Sequence, residues 1–134
     1  MTVSNPPEAT ARCRSILIVE DEPSIRENLR TLLELEGYSS VYTAQNGEEG
    51  LRILRTMPRP CVILLDLLMP VMNGMEFLEA KSQEDAIASI PVCVVSGIAG
   101  EPKLLKANAW IKKPVDFSVL LKFIRHYCDT GDMP

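Results

Sequence analysis

Short runs of apolar and β-branched residues recur along the chain, separated by stretches in which apolar positions return every three or four residues. The runs are Ser15–Glu20, Ser40–Ala44, Cys61–Asp66, Pro91–Ser96 and Ala109–Lys112. Three of them are almost uninterrupted hydrocarbon, which is how a strand reads when both faces are covered, as in a parallel sheet between helical layers. Between the runs, Ser24–Glu36 sets Ile25, Leu29, Leu32 and Leu33 on one helical stripe, and Gly37 stands where a helix stops. Asn46 predicts the cap of a helix over Gly47–Met57, Asn73 that of one from Gly74 to about Glu84, and Asp116 that of Phe117–Cys128. In each case a short oxygen-bearing side chain can accept from the orphan amides of the first turn. In the last helix Leu120, Phe123, Ile124 and Tyr127 share a face, whereas Glu101–Lys106 has room for one or two turns at most.

Strand and helix in strict alternation, with short connections, predict a doubly wound α/β fold. Right-handed crossovers narrow the topologies to a few. One domain over 14–128 is expected, between a flexible tail over 1–13 and a short tail over 129–134.

Composition removes several classes of function. The 134 residues are 46% hydrophobic and 24% charged, as in an ordinary globular domain. Fourteen basic residues against eighteen acidic give a net charge of −4 with no basic run, so the chain alone is not expected to bind nucleic acid. No apolar run approaches the ~18 residues of a membrane span, and Met1 to Arg14 lacks the apolar core of a secretory signal. A cytoplasmic protein without membrane contact is expected. The four cysteines (Cys13, Cys61, Cys93, Cys128) show no metal or redox spacing; Cys61 and Cys93, in apolar runs, are expected buried and reduced. His126, the single histidine, reads as a surface residue in the last turn of its helix.

In a doubly wound sheet the working site lies beyond the carboxyl ends of the strands. The first run ends in Glu20 and Asp21, the third in Asp66, the fourth in Ser96, and the fifth is followed by Lys113 and Pro114. Converging carboxylates repel unless a cation joins them. Oxygen donors without histidine or cysteine suit a hard ion, Mg²⁺ or Mn²⁺. Asp66 at the end of a hydrocarbon strand can act as a nucleophile toward phosphorus. The metal, Lys113 and the Ser96 hydroxyl would then face the oxygens of the transferring group.

These residues carry a resemblance. ILIVEDEPSIRENL, LLDLLMPVMNGMEFL, PVCVVSG and WIKKP are similar to the receiver domains of two-component response regulators, over about Arg14 to Cys128. The middle segment (Asp66, Met69, Pro70, Asn73, Gly74) is the most specific. The resemblance implies a five-stranded flavodoxin-like sheet of order 2-1-3-4-5. It implies Asp66 as phosphoacceptor, with Mg²⁺ held by Glu20, Asp21, Asp66 and the backbone carbonyl of Leu68. Ser96 takes the hydroxyl switch position, Lys113 contacts the phosphoryl group, and the Lys113–Pro114 bond is cis. Trp110 stands where the family often has a tyrosine or phenylalanine that swings inward on activation. The implied partners are a sensor histidine kinase or histidine phosphotransferase and a downstream protein target. The chain would be a monomer or weak dimer that catalyses only its own phosphorylation and dephosphorylation. It is expected to be a stand-alone receiver.

Three departures stand out. Glu20 replaces the usual aspartate of the acidic pair. The stretch between Ser96 and Lys113 is several residues short, which predicts a stunted helix there. Leu68 and Ile98, two residues past Asp66 and Ser96, offer no side-chain group to orient a hydrolytic water, which predicts a slowly hydrolysed phosphoryl group. Among competing classes, a haloacid-dehalogenase phosphatase would need a second aspartate two residues past the nucleophile, where Leu68 stands. A flavodoxin-type cofactor binder would need a phosphate loop in place of EDEPS. A pseudo-receiver, a binding module not regulated by phosphorylation, is the remaining alternative.

Overall fold

The computed structural model describes residues 15–130; the expected tail over 1–13, with Cys13, and residues 131–134 lie outside them. Five strands, β1 (Ser15–Val19), β2 (Ser40–Ala44), β3 (Val62–Leu65), β4 (Val92–Ser96) and β5 (Ala109–Lys112), form one parallel sheet in the order β2-β1-β3-β4-β5. The helices are α1 (Pro23–Leu35), α2 (Gly47–Leu54), α3 (Gly74–Ser82), α4 (Asp85–Ala88) and α5 (Phe117–Arg125). A 3-10 turn, Pro102–Leu105, stands between β4 and β5, and a π turn, His126–Thr130, follows α5. The stunted helix expected before β5 is that single 3-10 turn. No described helix is long and apolar enough to cross a membrane.

Because successive side chains of a strand point to opposite faces, the continuous apolar runs feed two cores at once. Ile16 and Ile18 of β1 and Val62 and Leu64 of β3 join the core under α1 and α5. Leu17, Val19, Ile63 and Leu65 join the other, with Leu51 and Leu54 of α2 and Phe77 of α3. Gly37 adopts a left-handed φ of 97°, which a residue with a Cβ would resist. Its amide reaches the Glu34 carbonyl and the Tyr38 amide the Leu33 carbonyl, so a Schellman motif closes α1 with Tyr38 packed in the same core as Leu33.

Two stripe assignments change. Leu32 is 39% exposed while Leu29 and Leu33 are buried, because Leu32 lines a groove toward Pro114 and Phe117 rather than the sheet. On α5 the buried face is Leu120, Leu121 and Ile124; Phe123 is only partly covered, and Tyr127 packs tilted against Phe123 and edgewise on His126.

Boundaries move as well. The second helix ends at Leu54 rather than Met57, and Arg55 at its C-cap forks onto the Glu84 carboxylate with contacts of 3.1 and 2.6 Å. That fork stands at the head of α4, which sequence reasoning missed. Lys81, a residue type that is rarely buried, is covered here and its ammonium donates to the Ala88 carbonyl at 2.7 Å, closing the end of α4.

The cysteine expectation is half overturned. Cys93 is free and buried, and burial pushes its thiol up to about 12. Cys61 is not reduced: it forms a disulfide with Cys128, with Cα atoms 5.3 Å apart. The fold brings the start of β3 against the turn after α5, a proximity that no local spacing encodes.

Candidate functional site

Strand order reverses between β1 and β3, and this leaves a crevice at the carboxyl edge of the sheet. The ladder runs one residue past each strand there. The Glu20 amide donates to the Ala44 carbonyl (3.0 Å), the Asp66 amide to Val19 (2.9 Å) and the Lys113 amide to Ser96 (2.8 Å). The charged side chains are thus mounted on sheet backbone rather than on loops.

Carboxylate oxygens of Glu20, Asp21 and Asp66 lie within 4.8 Å of one another. Glu20 is 2% and Asp66 6% exposed, and Asp21 is the most accessible of the three. The Lys113 ammonium sits 2.9 Å from Glu20 Oε1 and 3.6 Å from Asp66 Oδ1. The Glu22 amide donates to the other Glu20 oxygen at 3.1 Å. Glu20 is thereby fixed by two donors. Arg26, which sequence reasoning passed over, donates to the Glu20 carbonyl at 2.9 Å from the first turns of α1. The available signal was a basic residue one turn into the helix that follows an acidic strand end.

Three carboxylates against one ammonium leave an excess of buried negative charge. Burial, and then the charge of Glu20, push the Asp66 carboxyl up to about 7 even though Lys113 pulls it down. Burial pulls the Lys113 ammonium down, but its hydrogen bond to Glu20 and the charges of Glu20, Asp66 and Asp21 outweigh that and hold it above its usual range. Such a cluster is a poor resting arrangement without a cation and a good one with it. An all-oxygen set of this size, partly open to solvent through Asp21, fits Mg²⁺, which keeps several waters and takes few carboxylates.

Ser96 ends β4 fully buried, and its hydroxyl accepts from the Ile98 amide at 3.1 Å. The carbonyl of the same residue, Ile98, accepts from the Trp110 indole at 2.8 Å. The Trp110 ring lies on Gly100, with no room for a Cβ between them. One residue therefore links the hydroxyl to the aromatic side chain. The Lys113–Pro114 bond is cis. Beyond Asp66, Val71 has φ 70° and lies within a turn closed by the Met72 amide on the Pro70 carbonyl, a strained conformation for a β-branched residue.

The structure thus brings Glu20, Asp21, Asp66 and Lys113 together, mounts Ser96 on the backbone beside Lys113, and sets Trp110 on the loop after Ser96. Leu68, whose carbonyl the resemblance implies as a further metal ligand, turns its side chain to solvent.

The family model of the response regulator receiver domain matches residues 16–125. Protein PilH of Pseudomonas aeruginosa is 34% identical over 114 residues, which are 81% of this chain and 93% of that protein. The polar-differentiation response regulator DivK of Brucella anthropi is 31% identical over 119 residues, 85% of this chain and 95% of that protein. Among solved structures, the chemotaxis response regulator CheY4 of Vibrio cholerae superposes with a TM-score of 0.75 at 31% identity, covering 84% of this chain and 97% of that one.

Proposed function

The chain belongs to the response regulator receiver family, and from that premise we propose that Asp66 accepts a phosphoryl group from a sensor histidine kinase or a histidine phosphotransferase. The observation that carries the reading is the Lys113 ammonium beside Glu20 and Asp66, at the edge of a carboxylate cluster that a cation would balance. An Asp66 oxygen attacks phosphorus, and the new P–O bond forms as the donor's P–N bond breaks. Mg²⁺, with Mn²⁺ as a substitute, would be held by Glu20, Asp21, Asp66 and the Leu68 carbonyl and would supply positive charge to the phosphoryl oxygens. Lys113 leaves its contact with Asp66 for a phosphoryl oxygen. The Ser96 side chain turns to donate its hydroxyl to another, and in turning gives up the Ile98 amide it now accepts from. That frees the Ile98 peptide, and with it the hold on the Trp110 indole. The signal is the altered surface around β4 and β5, read by a downstream protein; phosphate shifts an existing equilibrium between two arrangements. The setting is cytoplasmic, and the chain turns over no substrate beyond its own phosphoryl group.

Incubation with acetyl phosphate, followed by intact mass, tests the reading. A gain of one phosphoryl group that requires Mg²⁺ is expected. Should none appear, beryllofluoride with Mg²⁺ is expected to change Trp110 fluorescence. Failure of both makes the chain a pseudo-receiver, a reading otherwise favoured only by the single 3-10 turn before β5.

Loss of the phosphoryl group is expected to be slow. Leu68 and Ile98, two residues past Asp66 and Ser96, are 59% and 54% exposed and carry no polar side-chain atom that could orient an attacking water. A Leu68→Asn, Ile98→Glu variant, which gives an attacking water two polar partners, should lose phosphate roughly tenfold faster, a modest share of what a placed acid–base group can give. Equal decay rates of the two phosphoproteins, followed by mass, would discard this explanation.

A further inference from the structure

The Cys61–Cys128 disulfide lies at the end of the sheet opposite the carboxylate cluster, with no part in the chemistry above. Cys61 immediately precedes β3, and its amide holds the Ser15 carbonyl at 2.9 Å. Cys128 sits in the π turn His126–Thr130, fully buried in the core of α1 and α5. Both therefore lie at the ends of elements, where opening can be local.

Either state of the pair is accommodated. Cys61 Sγ lies 3.3 Å from the Ser15 carbonyl oxygen, so a reduced thiol finds an acceptor in place. A reduced Cys128 would be a small hydrophobe in an apolar pocket. Cys93, the remaining described cysteine, lies within β4 and is poorly reactive because burial disfavours its thiolate.

The turn that carries Cys128 has a second anchor. The Asn108 amide group donates to the Tyr127 hydroxyl at 3.3 Å. Asn108 in turn brackets the start of β4, its backbone amide on the Val92 carbonyl (2.8 Å) and its side-chain oxygen on the Val92 amide (2.9 Å). One short turn therefore ties together the N-terminal ends of β3, β4 and β5. A π turn of this kind is rare and marks a backbone held out of its ordinary register.

We propose that Cys61–Cys128 is a redox-operated clasp: closed, it pins the turn His126–Thr130 to the start of β3; open, it frees that turn and its Tyr127 hold on Asn108. The oxidant is a low-molecular-weight disulfide of the glutathione class. One protein thiolate attacks it and expels a thiol, and the second displaces the remaining half. Two protein thiols and one small disulfide thus become one protein disulfide and two small thiols, and excess thiol reverses the exchange. Reduction by an incoming thiol requires the terminal turn to open first, since Cys128 is inaccessible in the closed form.

The test uses the full chain equilibrated with oxidised or with reduced glutathione, then quenched in acid and alkylated after denaturation. The reduced protein is expected to take an alkyl group on all 4 cysteines. The oxidised protein should lose the thiols of Cys61 and Cys128 without gaining glutathione on either, keep Cys93 to alkylate, carry glutathione at most on Cys13, and yield a Cys61–Cys128 linked peptide. Hydrogen exchange on the two folded forms should then show amides of 126–130, Val92 and Asn108 exchanging on the order of tenfold faster when reduced, with central β1 unchanged. Cys128→Ser should behave as the reduced form under either reagent. If that variant fails to fold, the two wild-type forms still decide the matter. Four alkylated thiols after oxidation, a link through Cys13 or Cys93, identical exchange in both forms, or a bond that excess reduced glutathione cannot open in the folded protein would each overturn the clasp.

Discussion

Asp66→Asn is expected to take up no phosphoryl group from acetyl phosphate at any Mg²⁺ concentration, while its metal-free form melts higher than the wild type. The first outcome follows from how the neighbours are held. Glu20 is occupied by the Lys113 ammonium and the Glu22 amide. Asp21 lies outside the ladder position that mounts Asp66 beside Val19, so neither carboxylate can replace it as nucleophile. The second outcome follows from charge. Asp66 is held near 7 against an ordinary 3.8, first by burial and then by Glu20. A carboxyl raised in the folded state binds its proton more tightly there than in the unfolded chain. Stability of the metal-free wild type is therefore full below pH 3.8 as far as this group is concerned, and falls as pH rises through about 7. The asparagine variant lacks that loss, so the gap between the two melting curves opens across this window. At pH 8 a gap of roughly 4 °C is expected, the shift that about 1 kcal/mol gives in a domain of this size. Mg²⁺ should close it by stabilising the wild type alone. A variant that melts lower than wild type without metal would mean that Asp66 is a structural anchor rather than a charge held against repulsion.

That the cluster could be read before any coordinates is a consequence of strand geometry. Glu20 and Asp66 follow directly on apolar runs and Lys113 on the short run Ala109–Lys112, and in a parallel sheet all such ends point to one edge. Adjacency in the sequence to a strand end thus becomes adjacency in space. The same logic gave the caps: Asn46 and Asn73 accept from the amides three residues on, and Asp116 from Ser118 and Val119. What escaped depends on contacts between distant segments. The disulfide needs residues 67 apart in sequence to meet. Lys81 is buried only because α4 folds back over it and offers the Ala88 carbonyl. Leu32 satisfies the apolar period of α1 as well as Leu33 does, yet a helix on a twisted sheet leaves one flank of its stripe uncovered, and Leu32 is on that flank. Arg26 reaches back to a backbone carbonyl, a target present at every position, so a basic residue one turn into the helix was the one hint its position offered.

The largest stability effect is expected at Gly74, and it follows from the same strand end. The Gly74 amide donates to the Leu67 carbonyl at 2.9 Å, which seats the first turn of α3 directly on the backbone leaving β3. A Cβ at this position would run into the Asp66 carbonyl oxygen and lie 2.8 Å from Leu67 Cα and 2.9 Å from Leu67 Cδ2. Two of those three atoms are backbone, and the backbone in question carries Asp66; no side-chain rotation relieves the overlap. Nor can α3 slide away cheaply. Asn73 and Glu76 form a reciprocal capping box at its head, and Phe77 is fully buried one turn on. Gly74→Ala is therefore expected to cost at least ~3 kcal/mol, the upper range for overpacking, from a total on the order of 5–15 kcal/mol. The fraction that stays folded should also take up phosphate more slowly, because relief of the overlap moves the Asp66 peptide. Gly97→Ala is the control: nothing lies within 4 Å of its Cβ position, and a change within about 0.5 kcal/mol is expected. Urea unfolding of the two variants beside wild type measures both, with phosphate uptake followed on the same preparations. Equal midpoints for Gly74→Ala and Gly97→Ala would show that the turn joining β3 to α3 yields freely and does not hold Asp66 in place.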